Sequence, residues 1–252
     1  MHPILFRVGP ITIYTYGLFI FLGILVAYLI TLREAKKEGI RKEIFSSLVF
    51  WILIFSFLGA RIFYIFINFK DFLKTPFEFI FSRSGFVFYG GIIAGLVSSF
   101  YFYLHYKINF LKFADIVSLG IPLGHAFGRI GCFFYGCCYG KPTDSFLGVL
   151  FPPQAPAGIL RVKVIPIQLI SSFFLLLIFI FLKNFRKRRR FEGEVFFVYL
   201  FLYGIFRFFI EFFRGDPRPY IFGFSIFQWI SLILVILSSF LWARKIRKEV
   251  NA

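Results

Sequence analysis

The residues able to do chemistry are concentrated in one stretch, Pro122–Pro142, which reads P-L-G-H-A-F-G-R-I-G-C-F-F-Y-G-C-C-Y-G-K-P. It holds a histidine, an arginine and all three cysteines of the chain, strung on glycines in otherwise apolar sequence. His125 and Arg129 are four apart and Cys132 follows three later, so on a helix they share a face. A guanidinium in hydrocarbon is expensive and needs an anionic partner. Two partners fit Arg129: a lipid phosphate, which the planar fork binds through paired hydrogen bonds, or the carboxylate of Glu211. The cysteines are spaced C-x4-C-C, not the C-x2-C of zinc or iron–sulfur sites. Adjacent Cys137 and Cys138 would leave a helix on different faces. They therefore read as small packing residues, and no metal site is expected.

A second constellation follows. Tyr203, Arg207, Glu211 and Arg214 recur at i, i+4, i+8 and i+11, one stripe of a helix. Arg207 and Glu211 could neutralise each other, yet with Arg129 on a facing helix positive charge is left over for an anion. Asp216-Pro217 ends that helix. A third group, Gly59-Ala60-Arg61 with Tyr64 and Asn68, places another arginine among apolar residues, either snorkelling outward or bracing the site.

The elements that must position these groups are membrane helices. Of 252 residues 59% are hydrophobic and 16% charged, more apolar surface than a water-soluble domain of this size could bury. The predicted fold class is an all-α polytopic membrane protein, a single domain over 1–252. Seven spans are expected at about 14–32, 45–68, 86–106, 116–136, 165–182, 195–213 and 224–242, the fourth interrupted at Pro122. The Pro-rich loop at about 143–164 would form a small outer cap. The first apolar run is long enough to span and is followed by no small-residue cleavage site, so no cleavable signal peptide is expected.

The net charge of +17 does not point to nucleic acid, because the basic residues cluster in connectors beside apolar runs. With the N-terminus outside, outer segments carry nine lysines and arginines and inner segments seventeen, which places the C-terminus in the cytoplasm. Lys183–Arg190 is the strongest anchor, suited to anionic headgroups of the inner leaflet. Only Arg61, Arg129 and Arg207 fall within spans, about 18–24 Å into a core about 30 Å thick. Glu211, Tyr16 and Tyr89 lie near the same level. Such convergence predicts one buried polar chamber open to the outer leaflet. Gly120, Gly124 and Gly128 make a smooth face for a helix or a lipid chain.

Gly128-Arg129-Ile130-Gly131 resembles the signature of the prolipoprotein diacylglyceryl transferases of bacterial inner membranes. The resemblance extends to Tyr16-Gly17, Gly59-Ala60-Arg61, Gly90-Gly91 and Pro166-x-Gln168. It continues through Tyr203-Gly-x-x-Arg207-x-x-x-Glu211-Phe-Phe-Arg214 and Phe224-Ser225-x-x-Gln228-Trp229. Each piece is weak alone; in this order, on seven spans, they are specific.

The resemblance implies transfer of diacylglyceryl from phosphatidylglycerol to the lipobox cysteine thiol of a prolipoprotein signal peptide, at the lipid bilayer, releasing glycerol phosphate. No cofactor is expected. By the same resemblance Arg129 and Arg207 clamp the phosphate and leaving group, and Glu211 orients Arg207 or the glycerol. Tyr16 and Tyr203 line the lipid pocket, with Arg61, Gly128, Gly131 and Arg214 also at the substrate. Displacement at a glycerol carbon needs a thiolate, hence a proton acceptor. The family's usual His-Gly-Gly reads Tyr89-Gly90-Gly91 here, and a phenol ionising at about pH 10 is a poor base near neutrality. His125 is the candidate in its place. The family's Gly-Arg-x-Gly-Asn-x-x-Asn-x-Glu reads Gly128-Arg-Ile-Gly-Cys132-Phe-Phe-Tyr135-Gly-Cys137, with two asparagines and a glutamate replaced. Two other readings stay open on the residues alone, a non-catalytic lipid or solute carrier and a thiol or metal protein built on the cysteines.

Overall fold

The computed structural model describes residues 4–9, 11–81, 85 and 87–250. Arg83, one of the outer basic residues counted above, and residue 86, where the third span was expected to begin, lie outside them. A short antiparallel hairpin, β1 (Ile4–Val8) and β2 (Ile11–Tyr14), leads into α1 (Thr15–Lys37). Then come α2 (Lys42–Ile67), the short α3 (Phe69–Phe72) and α4 (Pro76–Phe81), α5 (Phe88–Tyr106) and α6 (Phe110–Tyr135). A loop with one 3-10 turn (Pro156–Leu160) precedes α7 (Ile167–Phe185) and α8 (Glu194–Glu211). The two-residue strands β3 (Tyr220–Ile221) and β4 (Phe224–Ser225) lead into α9 (Ile226–Val250).

Five of these helices are long and apolar enough to cross a membrane: α1, α2, α6, α7 (continuing to Arg188) and α9. Two further helices, α5 and α8, occupy the positions of the expected third and sixth spans. Large side chains such as Phe66, Ile62 and Phe57 stay mostly exposed, the outward face expected of a polytopic membrane protein.

The chain forms two compact units, one within Met1–Thr31 and Ala114–Ala252, the other within Leu32–Phe113. In the second, α2 and α5 meet at Gly59 and Gly90, where a Cβ on Gly59 would sit 2.7 Å from the Gly90 carbonyl. Small residues let the two backbones touch.

In the first unit α6 runs unbroken through Pro122, correcting the expected interruption. Proline removes one backbone donor, but Pro122 is fully buried and the packing on either side holds the helix together. The glycine row packs on α1: a Cβ on Gly120 would meet the Thr31 methyl at 2.7 Å, and one on Gly23 would meet the Gly124 carbonyl at 2.9 Å.

The basic run Lys183–Arg190 is tied down by two buried acids. Asp115, fully buried on α6, accepts from Gly193 N at 2.8 Å and Phe196 N at 2.9 Å, capping α8, and pairs with Arg189 at 3.3 Å. Glu194 takes Arg190 through Nε at 2.9 Å and Nη2 at 2.6 Å, and accepts from the Trp242 indole at 3.0 Å. Part of the Lys183–Arg190 run thus joins α6, α8 and α9.

Candidate active site

The site is built on the first unit. His125 and Arg129 lie one turn apart on α6, and the Arg129 Nε donates to His125 Nε2 at 3.1 Å. A guanidinium can only donate, so Nε2 is the acceptor and the ring proton is on Nδ1. Among the described residues no carboxylate bonds Arg129. Its fork is thus left to other partners, and Glu211 goes to Arg207 instead.

The α8 stripe comes to α6 at the rings of His125 and Tyr203, 5.8 Å apart, and Tyr203 stacks on buried Tyr199. His125 is within electrostatic reach of both Arg129 and Arg207. One turn further, Arg207 Nη1 lies 2.6 Å from Glu211 Oε2, and both side chains are buried. Glu211 Oε1 accepts from Ser225 Oγ at 3.1 Å, and Arg218 Nε approaches it at 3.7 Å. The guanidiniums of Arg207 and Arg218 both lie over the Phe227 ring, at 5.1 and 4.6 Å. Ser225 in turn receives Gln228 N, and Gln228 Oε1 accepts from Ser225 N, so the start of α9 is locked under Glu211.

Arg214 lies just past the end of α8. It is buried and forked on Asp216, with Nε at 2.8 Å and Nη2 at 2.7 Å, and Arg218 shares the same carboxylate at 2.9 Å. Burial works against the Arg214 charge, but the Asp216 fork and Cys138 outweigh it and hold its pKa above the ordinary range. The site thus holds four guanidiniums, of Arg129, Arg207, Arg214 and Arg218, and two carboxylates, of Glu211 and Asp216, which pair with the last three. The surplus is positive and suits an anion.

The segment after α6 is laced to the turn after α8. Lys141 N bonds to Phe213 O at 2.9 Å, Gly215 N to Tyr139 O at 3.1 Å, and Gly140 N to Ile165 O at 3.0 Å. Further along, Thr143 N and Val149 N bond to Lys163 O and Val164 O, and Phe151, Ala155, Ala157 and Val164 make a small core of their own.

The cysteines correct the expectation that Cys137 and Cys138 point apart. The helix stops at Tyr135, and Gly136, at φ +81°, turns the chain back before two helical faces can be presented. Cys138 itself is left-handed at φ +60°. All three Sγ atoms lie within 4.8 Å of one another, and each thiol is free. Hydrogen bonds from Cys132 and Cys137 outweigh burial and, aided by Arg214 and Arg129, hold the Cys138 thiol below its usual range. Fully buried Gln168 fixes this turn by donating Nε2 to Cys137 O at 2.7 Å.

Tyr16, at the start of α1, lies against Gly131, where a Cβ would meet its ring at 3.2 Å, and within electrostatic reach of Arg129 and the three cysteines. A Cβ on Gly128 would meet only Ile20 at 3.4 Å. The structure therefore brings Tyr16, His125, Gly128, Arg129, Gly131, Tyr203, Arg207, Glu211 and Arg214 into one unit. Arg61 and Tyr89 belong to the other. There Arg61 donates to Gly85 O at 2.9 Å and to Phe79 O and lies over Tyr64, while Tyr89 opens α5, partly exposed.

Sequence reasoning passed over Asp216, Arg218 and Ser225 as members of this network. The R-x-D-x-R spacing after the stripe was the available signal for the first two. An apolar groove of about 1020 Å³ runs beside the site along α7 and α8, lined by Leu169, Phe174, Phe206 and Phe209 among others.

The whole chain resembles known proteins. A family model described as prolipoprotein diacylglyceryl transferase matches residues 3–244. The phosphatidylglycerol–prolipoprotein diacylglyceryl transferase of Clostridium tetani is 36% identical over 244 residues, 96% of this chain and 97% of that one. The second such transferase of Clostridium perfringens is 36% identical over 240 residues, 94% of this chain and 92% of that one. That of Finegoldia magna is 32% identical over 242 residues, again 94% and 92%. A match running from the first strand to the last helix, through every motif of the site, is not a shared fold alone: the chain belongs to the prolipoprotein diacylglyceryl transferase family.

Proposed function

We propose that this protein transfers the diacylglyceryl group of phosphatidylglycerol to the lipobox cysteine thiol of a prolipoprotein, forming a thioether and releasing glycerol phosphate, the first step of lipoprotein maturation. The observation that carries the reading is the Arg129 fork, free of any carboxylate among the described residues, beside the buried Arg207–Glu211 pair. A phosphodiester is the anion such a surplus suits, and the departing phosphate gains charge as the carbon–oxygen bond breaks, so the guanidiniums bind the transition state more tightly than the lipid.

In this reading Arg129 and Arg207 hold the phosphate, and Glu211, Arg214 and Arg218 set their positions. Tyr16 and Tyr203 flank the reacting glycerol, with Gly128 and Gly131 letting α1 approach. His125 orients Arg129 rather than taking the thiol's proton, because its one free lone pair is already used. Arg61 braces its own unit through Gly85 O and Phe79 O. The groove on α7 and α8 suits acyl chains, being almost wholly apolar.

The membrane arrangement belongs to the same proposal. Seven helices span, α5 and α8 included, in a bacterial cytoplasmic membrane. The N-terminus lies outside and the C-terminus inside, a reading supported by the seventeen-to-nine bias of basic residues. The loop over 143–164 then caps the site from outside.

The test is glycerol phosphate release from phosphatidylglycerol vesicles by purified protein and a lipobox peptide. Arg129→Ala is expected to lower the rate about 100- to 1000-fold. Unchanged release from that variant would sink the assignment.

A further inference from the structure

The three cysteines are not used by the reading above, yet the chain goes to some length to bring them together. The turn through Gly136 folds the segment back so that Gly136 N and Cys137 N both bond to Cys132 O, at 2.9 and 3.2 Å. Cys138 keeps a left-handed backbone that a side chain disfavours and that persists only where its surroundings demand it. The result is three sulfurs within 4.8 Å of one another. Around a zinc ion with sulfurs at about 2.3 Å, tetrahedral corners are about 3.8 Å apart, so these thiols need to close by no more than about 1 Å.

Three protein ligands leave the fourth corner open, the arrangement of catalytic rather than structural zinc. Arg129 and Arg214 are within electrostatic reach and offset the negative charge that three thiolates bring. Cys132 is one turn beyond Arg129 on the same helix face, so the thiol cluster lies next to the guanidinium that would hold the phosphate.

We propose that Cys132, Cys137 and Cys138 bind one zinc ion, and that its open position takes the acceptor thiol of the peptide and delivers it as a thiolate. The second clause rests on the transferase reading. On binding zinc the peptide thiol releases its proton to solvent. Its sulfur then forms a bond to the glycerol carbon as the bond from that carbon to the phosphate oxygen breaks. The bonding pair departs on glycerol phosphate, and the neutral thioether, a weaker ligand, leaves the metal. This supplies what Tyr89 and a lone-pair-engaged His125 do not.

The experiment uses the full chain in detergent or nanodiscs. Elemental analysis is expected to find about one zinc per chain after dialysis, falling to background when the three cysteines are changed to serine. With cobalt in place of zinc, a thiolate charge-transfer band is expected, and adding a lipobox peptide is expected to shift the cobalt spectrum with cysteine at the acceptor position but not with serine. Stripping the metal should slow transfer about 30-fold at pH 7, the deficit shrinking toward about twofold near pH 8.5, where a free thiol ionises unaided. No bound metal, with three alkylatable thiols or a disulfide in the unmodified chain, overturns the site. Bound cobalt blind to the cysteine peptide overturns the acceptor role. A cobalt shift with no glycerol phosphate release would uphold the site and its thiol binding while defeating the transferase reading.

Discussion

Arg129 donates its Nε proton to His125 Nε2 across one turn of α6, at 3.1 Å. In the proposed reading the histidine therefore steers the guanidinium, its acceptor nitrogen being engaged by Arg129. His125→Gln, whose amide oxygen can still accept, is expected to keep activity within a few-fold, whereas His125→Ala loses about tenfold, the worth of one charged hydrogen bond. The pH–rate profile should keep its shape in both. Equal and near-complete loss in the two variants, with the acid limb abolished, would make His125 the base instead.

Glu211 is buried among Arg207, Arg218 and Ser225, so its removal strands the buried Arg207 guanidinium and leaves Arg218 with Asp216 alone. Glu211→Ala is expected to cost about 3–5 kcal/mol of stability. Glu211→Gln, which still accepts from Ser225, should cost less. Denaturant unfolding in detergent measures both.

Asp115 offers a test away from the site. It caps α8 through Gly193 N and Phe196 N and holds Arg189. Asp115→Ala should destabilise the protein by about 1–2 kcal/mol. The turnover of the fraction that remains folded is expected to match the parent.

The contact of α1 with α6 depends on Gly23, where a side chain would meet the Gly124 carbonyl at 2.9 Å and the Phe127 Cβ at the same distance. Gly23→Val is expected to cost about 1–3 kcal/mol as overpacking. Because α1 carries Tyr16, it should also raise KM for the lipid more than it lowers kcat.

What the sequence by itself determined is what a bilayer makes obligatory. Long apolar runs became helices, because backbone polar groups in hydrocarbon must be satisfied internally. The three arginines within those runs marked candidate sites, because a charge there needs a partner, and the i, i+4 spacing offered Glu211 to Arg207 and set His125 on the face of Arg129. The glycine row announced a close contact without naming α1 as its partner. What only the tertiary structure decided lies at helix ends and in long-range partners. Whether Pro122 breaks α6 depends on the packing around it. That Asp115 caps α8, 78 residues away, depends on where α8 begins in space. That Cys137 and Cys138 converge on Cys132 depends on one left-handed turn at Gly136, which ends the helix and with it the periodicity from which their directions were read.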